Sequence, residues 1–187
     1  MKNAKIIASL LLTFLLLTGC DSITKTNSSG GSSNSTATVT HETTVVTTSG
    51  ETIGVKVTTD GFIFAGYEGK PVLLEFYGDT CPHCMNAIPM YNNLQAKYGN
   101  KILILTVESY GKLNNAGLQA YAASKGMTYR TVAKGNSGNI KAYAEGLVGP
   151  MVGVPYLIVL NKNGEMVTSK FNDLDESWLE GVILDLI

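Results

Sequence analysis

Residues 78–91 read GDTCPHCMNAIPMY, in which Cys81 and Cys84 stand three apart around Pro82 and His83. Such a pair supports three chemistries: a structural cross-link, half of a metal site, or a redox couple. A cross-link gains little, because two cysteines three apart close almost no loop. Structural zinc wants four ligands, usually with a second cysteine pair, and the only other cysteine is Cys20. Copper(I) is the fairer metal, since thiolates and thioethers are soft ligands and Met85, Met90 and Met151 are candidate thioethers. On a helix, Met85 and Met90 more often fill core. A redox couple needs only two sulfurs within bridging range, which residues three apart at a helix start provide. It requires neither a metal nor a cofactor.

The segment around the pair assigns the two sulfurs different roles. Pro82 suits the first position of a helix, where its missing N–H costs nothing, and a helix is expected over 82–98. Cys84, Ala87, Tyr91, Leu94 and Tyr98 recur at spacings of three and four, a core-facing stripe. Cys84 therefore starts the buried face, whereas Cys81 lies at the cap, where solvent reaches. Unpaired N–H groups and the positive end of the macrodipole stabilise a thiolate at that cap. Cys81 is thus the expected attacking, acidic thiol, and Cys84 resolves the mixed disulfide from behind. His83 adds a donor, or a positive charge when protonated, at the same end. Stabilising the thiolate favours the dithiol and makes the disulfide the stronger oxidant.

The elements that must hold this pair are legible from the pattern. PVLLEFY (71–77) and KILILTVES (101–109) read as buried strands flanking the helix. A helix over 114–125, a short strand in TYRTVA and a helix over 138–147 follow, the last with Ile140, Tyr143 and Leu147 on one face. PYLIVLNKNGEMVTSKF gives two strands joined at Asn161–Gly164, and SWLEGVILDLI closes the chain as an amphipathic helix. Upstream, VVTTSGETIGVKV reads as a hairpin. Alternating strands and helices predict an α/β fold, a central sheet covered by helices on both faces.

The 187-residue chain begins with Lys2 and Lys5 followed by an apolar run from Ile6 to Leu17. That run is shorter than the roughly 20 residues of a spanning helix and reads as a secretory signal. It ends in Leu17-Thr18-Gly19-Cys20, which resembles the lipobox of bacterial lipoproteins. The resemblance implies cleavage before Cys20, lipid on its sulfur and a membrane anchor outside the cytoplasm, in the periplasm or at the cell surface. Residues 21–44 are Ser/Thr-rich with almost no large apolar side chain and read as a flexible tether that includes His41. The folded domain is then 45–187. Fourteen basic and fifteen acidic residues balance in the full chain, and loss of Lys2 and Lys5 leaves a net charge near −3. No basic cluster supports nucleic-acid binding.

Cys81-Pro82-His83-Cys84 after a buried strand resembles the active site of the thioredoxin superfamily, and its central dipeptide matches the DsbA-type disulfide oxidases. Glu75, six residues before Cys81, corresponds to the buried acid of those proteins, and Pro89 to the proline that kinks their active-site helix. Val154-Pro155 corresponds to the cis-proline loop that faces the cysteines. The resemblance covers most of 62–187. Thr80 stands where many thioredoxins carry tryptophan. The 74 positions from Cys81 to Pro155 leave room for a short insertion before the cis-proline strand. They are few for the helical domain of a DsbA-type oxidase. In length, anchor and NKNGE hairpin the chain is more similar to the membrane-tethered TlpA/ResA group, many of which are reductases, some in cytochrome c maturation.

The resemblance implies a thioredoxin-like fold with a mixed sheet and a thiol–disulfide oxidoreductase. Its implied partners are protein thiols or disulfides and a membrane redox partner. Glu75, if buried, has a raised pKa and relays the proton of Cys84. A cis Pro155 turns the Val154 backbone toward substrate. Met151, within GPMVGV, then forms part of an apolar lip for an extended substrate. Three functions remain open here: oxidation or interchange of protein thiols, a dedicated thiol reductase, and a copper(I) chaperone.

Overall fold

A computed structural model of the protein describes residues 37–187. The signal segment, the lipobox Cys20 and tether residues 21–36 lie outside the described residues.

Two apolar runs set the centre of the fold. Strands β4 (Val72–Tyr77) and β5 (Leu103–Glu108) are buried at every position, the signature of strands covered on both faces. They pair in parallel, and the crossover between them is helix α1 (Pro82–Tyr98). On the other side of β4 lies β7 (Tyr156–Leu160), antiparallel, which turns through Asn161–Gly164 into the edge strand β8 (Met166–Phe171). A second parallel step from β5 passes through helix α2 (Asn115–Ser124) to the short strand β6 (Arg130–Val132). The five-stranded mixed sheet has the order β6-β5-β4-β7-β8. From β6 the chain passes through a 3-10 turn (Lys134–Asn136) and helix α3 (Ile140–Val148) before reaching the cis-proline strand. Helix α4 (Glu176–Leu186) closes the chain, capped by Asp175, whose carboxylate accepts the Trp178 N–H at 2.8 Å.

Strand alternation divides the side chains of β4 between two cores. Leu73 points into a core made with Ala87, Met90, Tyr91 and Leu94 of α1 and Leu179 and Ile183 of α4. Val72, Leu74 and Phe76 face the opposite core, with Ile140 and Ala144 of α3. That second face is also covered by a three-stranded antiparallel sheet: β1 (Val39–Val46), β2 (Thr52–Thr58) and β3 (Phe62–Phe64). The β1–β2 hairpin matches the expectation, whereas β3, three residues long, is too short to register as a period.

Strand β1 begins at Val39, so residues 39–44, read as tether, belong to the described sheet. VTHETTVV is polar enough to read as tether, but it pairs with β2 in register, Thr43 opposite Val55 and Glu42 opposite Lys56. Its first four residues are exposed, so backbone pairing holds this stretch in place of burial. His41 is on this strand, exposed, with its ring 5.0 Å from that of Tyr143.

Gly138 joins β1 to the start of α3. Its φ is +55°, a β-carbon there would overlap Thr44 O and Thr43 Oγ1, and the Thr43 hydroxyl donates to its carbonyl at 2.9 Å. Gly138→Ala is expected to cost about 2–4 kcal/mol of unfolding free energy in urea. A loss below about 1 kcal/mol would show that the contact relaxes freely.

Candidate active site

Helix α1 starts at the carboxyl end of β4, and Cys81 is its N-cap. Pro82 opens the helix, and the Cys84 N–H donates to Cys81 Sγ at 3.3 Å. The cap is thus made by a sulfur where an oxygen usually serves, and a backbone N–H donates to it. Cys81 Sγ also lies 3.5 Å from the Val154 carbonyl, to which its thiol donates. Both cysteines are free thiols. They share a small cluster with Tyr77, Leu118 of α2 and Ala133, with Val154 and Tyr121 against it.

One expectation needs correction. Cys81 is not open to solvent while Cys84 is shielded; the two are 6% and 4% exposed. Val154 and the site cluster cover Cys81 from outside, which the position of a cap residue in sequence does not reveal. The two sulfurs differ instead in their hydrogen bonds and in the burial cost at Cys84. Burial, and next a hydrogen bond to Cys81, push the Cys84 thiol well above the ordinary cysteine range. Cys81 Sγ, in contrast, is the acceptor of the helix-start N–H.

Glu75 lies in mid-β4, between Thr106 of β5 and Leu157 of β7, on the face shared with Leu73 and Tyr77. It is 3% exposed, and its Oε1 has no hydrogen-bond partner. Burial, and next the charge of Cys81, hold its pKa well above the ordinary carboxyl value. The Val154–Pro155 peptide is cis, and Pro155 is buried, its carbonyl accepting the Asn172 N–H at 2.9 Å. Met151 is half-buried, packed against the α3-side core, and Val152 beside it is 85% exposed. Met90 is core, beneath the sheet with Leu73 and Tyr91, so it does not offer a thioether to the pair. His83 is exposed and faces Asp173, Nδ1 to Oδ1 3.9 Å, and makes no hydrogen bond to either sulfur.

Sequence reasoning passed over three groups around this centre. Glu108 ends β5, fully buried, and its carboxylate accepts the N–H groups of Tyr110 and Gly111 at 2.7 and 2.8 Å. That bracket sets Tyr110 over Gly78, where any side chain would strike its ring. Asp79 Oδ1 is buried without a partner two residues before Cys81. An acid ending an apolar run was the available signal for Glu108, whereas Glu75, inside its strand, was marked by the family resemblance. Asp173, the partner of His83, sits in a loop with no pattern to mark it.

Residues 56–121, about a third of the chain, match the protein family described as Thioredoxin. No curated protein matches the sequence. Among solved structures, StoA from Bacillus subtilis is 19% identical, with a TM-score of 0.57 over 76% of this chain and 96% of StoA. A secreted Mycobacterium tuberculosis disulfide oxidoreductase homologous to E. coli DsbE is 18% identical, at 0.57 over 76% and 95%. The thioredoxin domain of a thiol-disulfide oxidoreductase from Bacteroides vulgatus is 17% identical, at 0.58 over 81% and 99%. The chain has a thioredoxin-like α/β fold.

Proposed function

We propose that the protein is an extracytoplasmic thiol–disulfide oxidoreductase that acts on protein thiols and disulfides, with Cys81 as nucleophile and Cys84 as resolving thiol. The observation that carries this reading is the Cys84 N–H donated to Cys81 Sγ beside a Cys84 thiol whose proton is held tightly. A thiolate on Cys81 attacks one sulfur of a substrate disulfide and displaces the other as a thiolate, which takes up a proton. Cys84 then gives up its proton and attacks Cys81 Sγ, so the substrate leaves as a dithiol and the protein holds the disulfide. The relay runs through the ionised form of Glu75: the carboxylate, made more basic by burial, takes the Cys84 proton, and the neutral acid returns it when the reaction runs backward.

Val154 and Pro155 line the substrate approach, with the Val154 carbonyl beside the reacting sulfur. Met151 belongs to the same lip. Met151→Asp is expected to raise KM for a peptide substrate about fivefold while leaving the reduction potential unchanged. An unchanged KM removes Met151 from the binding surface. His83, exposed at the helix start and facing Asp173, enters this reading as a residue that tunes the pair.

The compartment follows from the leader, with Cys20 as the lipid-bearing residue and a membrane redox partner within reach of the tether. No described helix is long and apolar enough to cross a membrane. Feeding cells a palmitate analogue should label the protein at Cys20, and labelling that survives Cys20→Ala would remove this anchor.

The reading is tested by equilibrating the protein with glutathione buffers of graded ratio. A dithiol–disulfide transition confined to Cys81 and Cys84 supports it, and the midpoint separates an oxidase from a reductase. A pair that never cycles but binds copper(I) through both sulfurs overturns it in favour of a metal chaperone.

A further inference from the structure

The loop before the cis peptide is pinned on both sides of its most exposed residue. Glu145, on α3, holds the near side twice: its carbonyl accepts the Gly149 N–H at 2.9 Å, and its carboxylate accepts the Met151 N–H at 3.2 Å. Lys141 pairs with the same carboxylate from one turn earlier. On the far side Gly153 lies against the Phe171 ring, where a β-carbon would be 3.0 Å from it, and Val154 reaches Cys81. Between these anchors Val152 is 85% exposed, although its neighbours Met151 and Val154 pack on the core. Val152 is thus an apolar side chain held in water two residues before the carbonyl that meets Cys81, and burying it against another apolar group is favourable. Phe171, 46% exposed, continues the same surface.

We propose that Glu145 is a positioning residue that pins the 149–154 loop so that Val152 contacts the substrate residue beside the reacting cysteine. The contact selects protein cysteines with apolar neighbours. The proposal rests on the oxidoreductase reading and adds its substrate preference. Glu145 touches no reacting atom; it acts through the Met151 N–H. Its carboxyl is held below the ordinary range by Lys141 and then by Met151, so the acceptor remains an anion at neutral pH.

The test uses the dithiol protein and two short peptides, each with one cysteine as its mixed disulfide with glutathione, flanked by leucine or by serine. Cys81 attacks the peptide sulfur and expels glutathione thiolate; Cys84 then expels the peptide thiol. Two thiols of the protein are oxidised to a disulfide and the mixed disulfide is reduced to two thiols. The leucine peptide should react about fivefold faster, the factor for taking roughly 40 Å² of apolar surface out of water. Val152→Ser should equalise the two rates, and so should Glu145→Ala, with the reduction potential unchanged in both. Glu145→Gln should restore the preference, because its amide oxygen still accepts the Met151 N–H. Equal rates in the unaltered protein, a preference that survives Glu145→Ala or Val152→Ser, or no rescue by Glu145→Gln each overturn the proposal. Unaltered reaction of both peptides with Cys81→Ser would instead bring down the oxidoreductase reading itself.

Discussion

Replacing Cys81 with serine is expected to lower thiol–disulfide exchange by about a thousandfold or more, because the attacking atom is lost and no neighbouring sulfur takes its place. Cys84 is unsuited to the first attack: burial and its hydrogen bond to Cys81 keep its proton in place near neutrality. Cys84→Ser fails differently. It still attacks through Cys81, then stops at the mixed disulfide, so non-reducing electrophoresis should show a covalent adduct with substrate that Cys81→Ser never forms. An adduct in Cys81→Ser and none in Cys84→Ser would exchange the two roles.

The second large effect is at Glu75, where activity and stability should move in opposite directions. The native carboxyl is buried, has an unpartnered oxygen and is kept neutral well above its ordinary value of 4.5, whereas the unfolded chain ionises it near that value. Between those two points the native state binds a proton that the unfolded state has released, so native stability falls as pH rises. The slope from this one group is about 1.4 kcal/mol per pH unit, and it ends where the native carboxyl itself ionises. Glu75→Gln removes that dependence. The variant and the parent should be of similar stability at pH 4, with the variant increasingly more stable toward pH 7 in denaturant titrations. Meanwhile the Cys84 step, deprived of its proton acceptor, should slow by about a hundredfold in single-turnover experiments. A stability difference that does not vary with pH would contradict the buried neutral acid, and an unaltered second step would contradict the relay.

The sheet, its helices and the ends of α1 were readable because their causes are local. VLLEFY and LILTVE are continuous apolar runs, Pro82 marks a helix start, and Asn161–Gly164 is a turn signal. The stripe on α1 was read too narrowly, since Ile88 and Met90 are buried along with Cys84 and Tyr91. What stayed hidden depends on contacts between distant segments. Strand β1 exists because β2 offers it an edge, and its threonines carry no apolar period of their own. The cover over Cys81 comes from Val154, 73 residues downstream, so its burial could not follow from its place at a helix cap. His83 shows the converse: its type suggested a partner for sulfur, but its nearest charged neighbour is Asp173, delivered by the β8–α4 loop. Composition marks chemistry well, but only the fold decides which face of it meets solvent.

The central claim is that the two sulfurs differ in how readily they become thiolates, although they are almost equally covered. It is tested most directly by treating the dithiol protein at pH 7 with iodoacetamide below one equivalent and locating the adduct by peptide mass spectrometry. Alkylation is expected almost wholly on Cys81, the sulfur at which the helix-start N–H points. Equal labelling of both cysteines, or preference for Cys84, would contradict the assignment of nucleophile and resolving thiol.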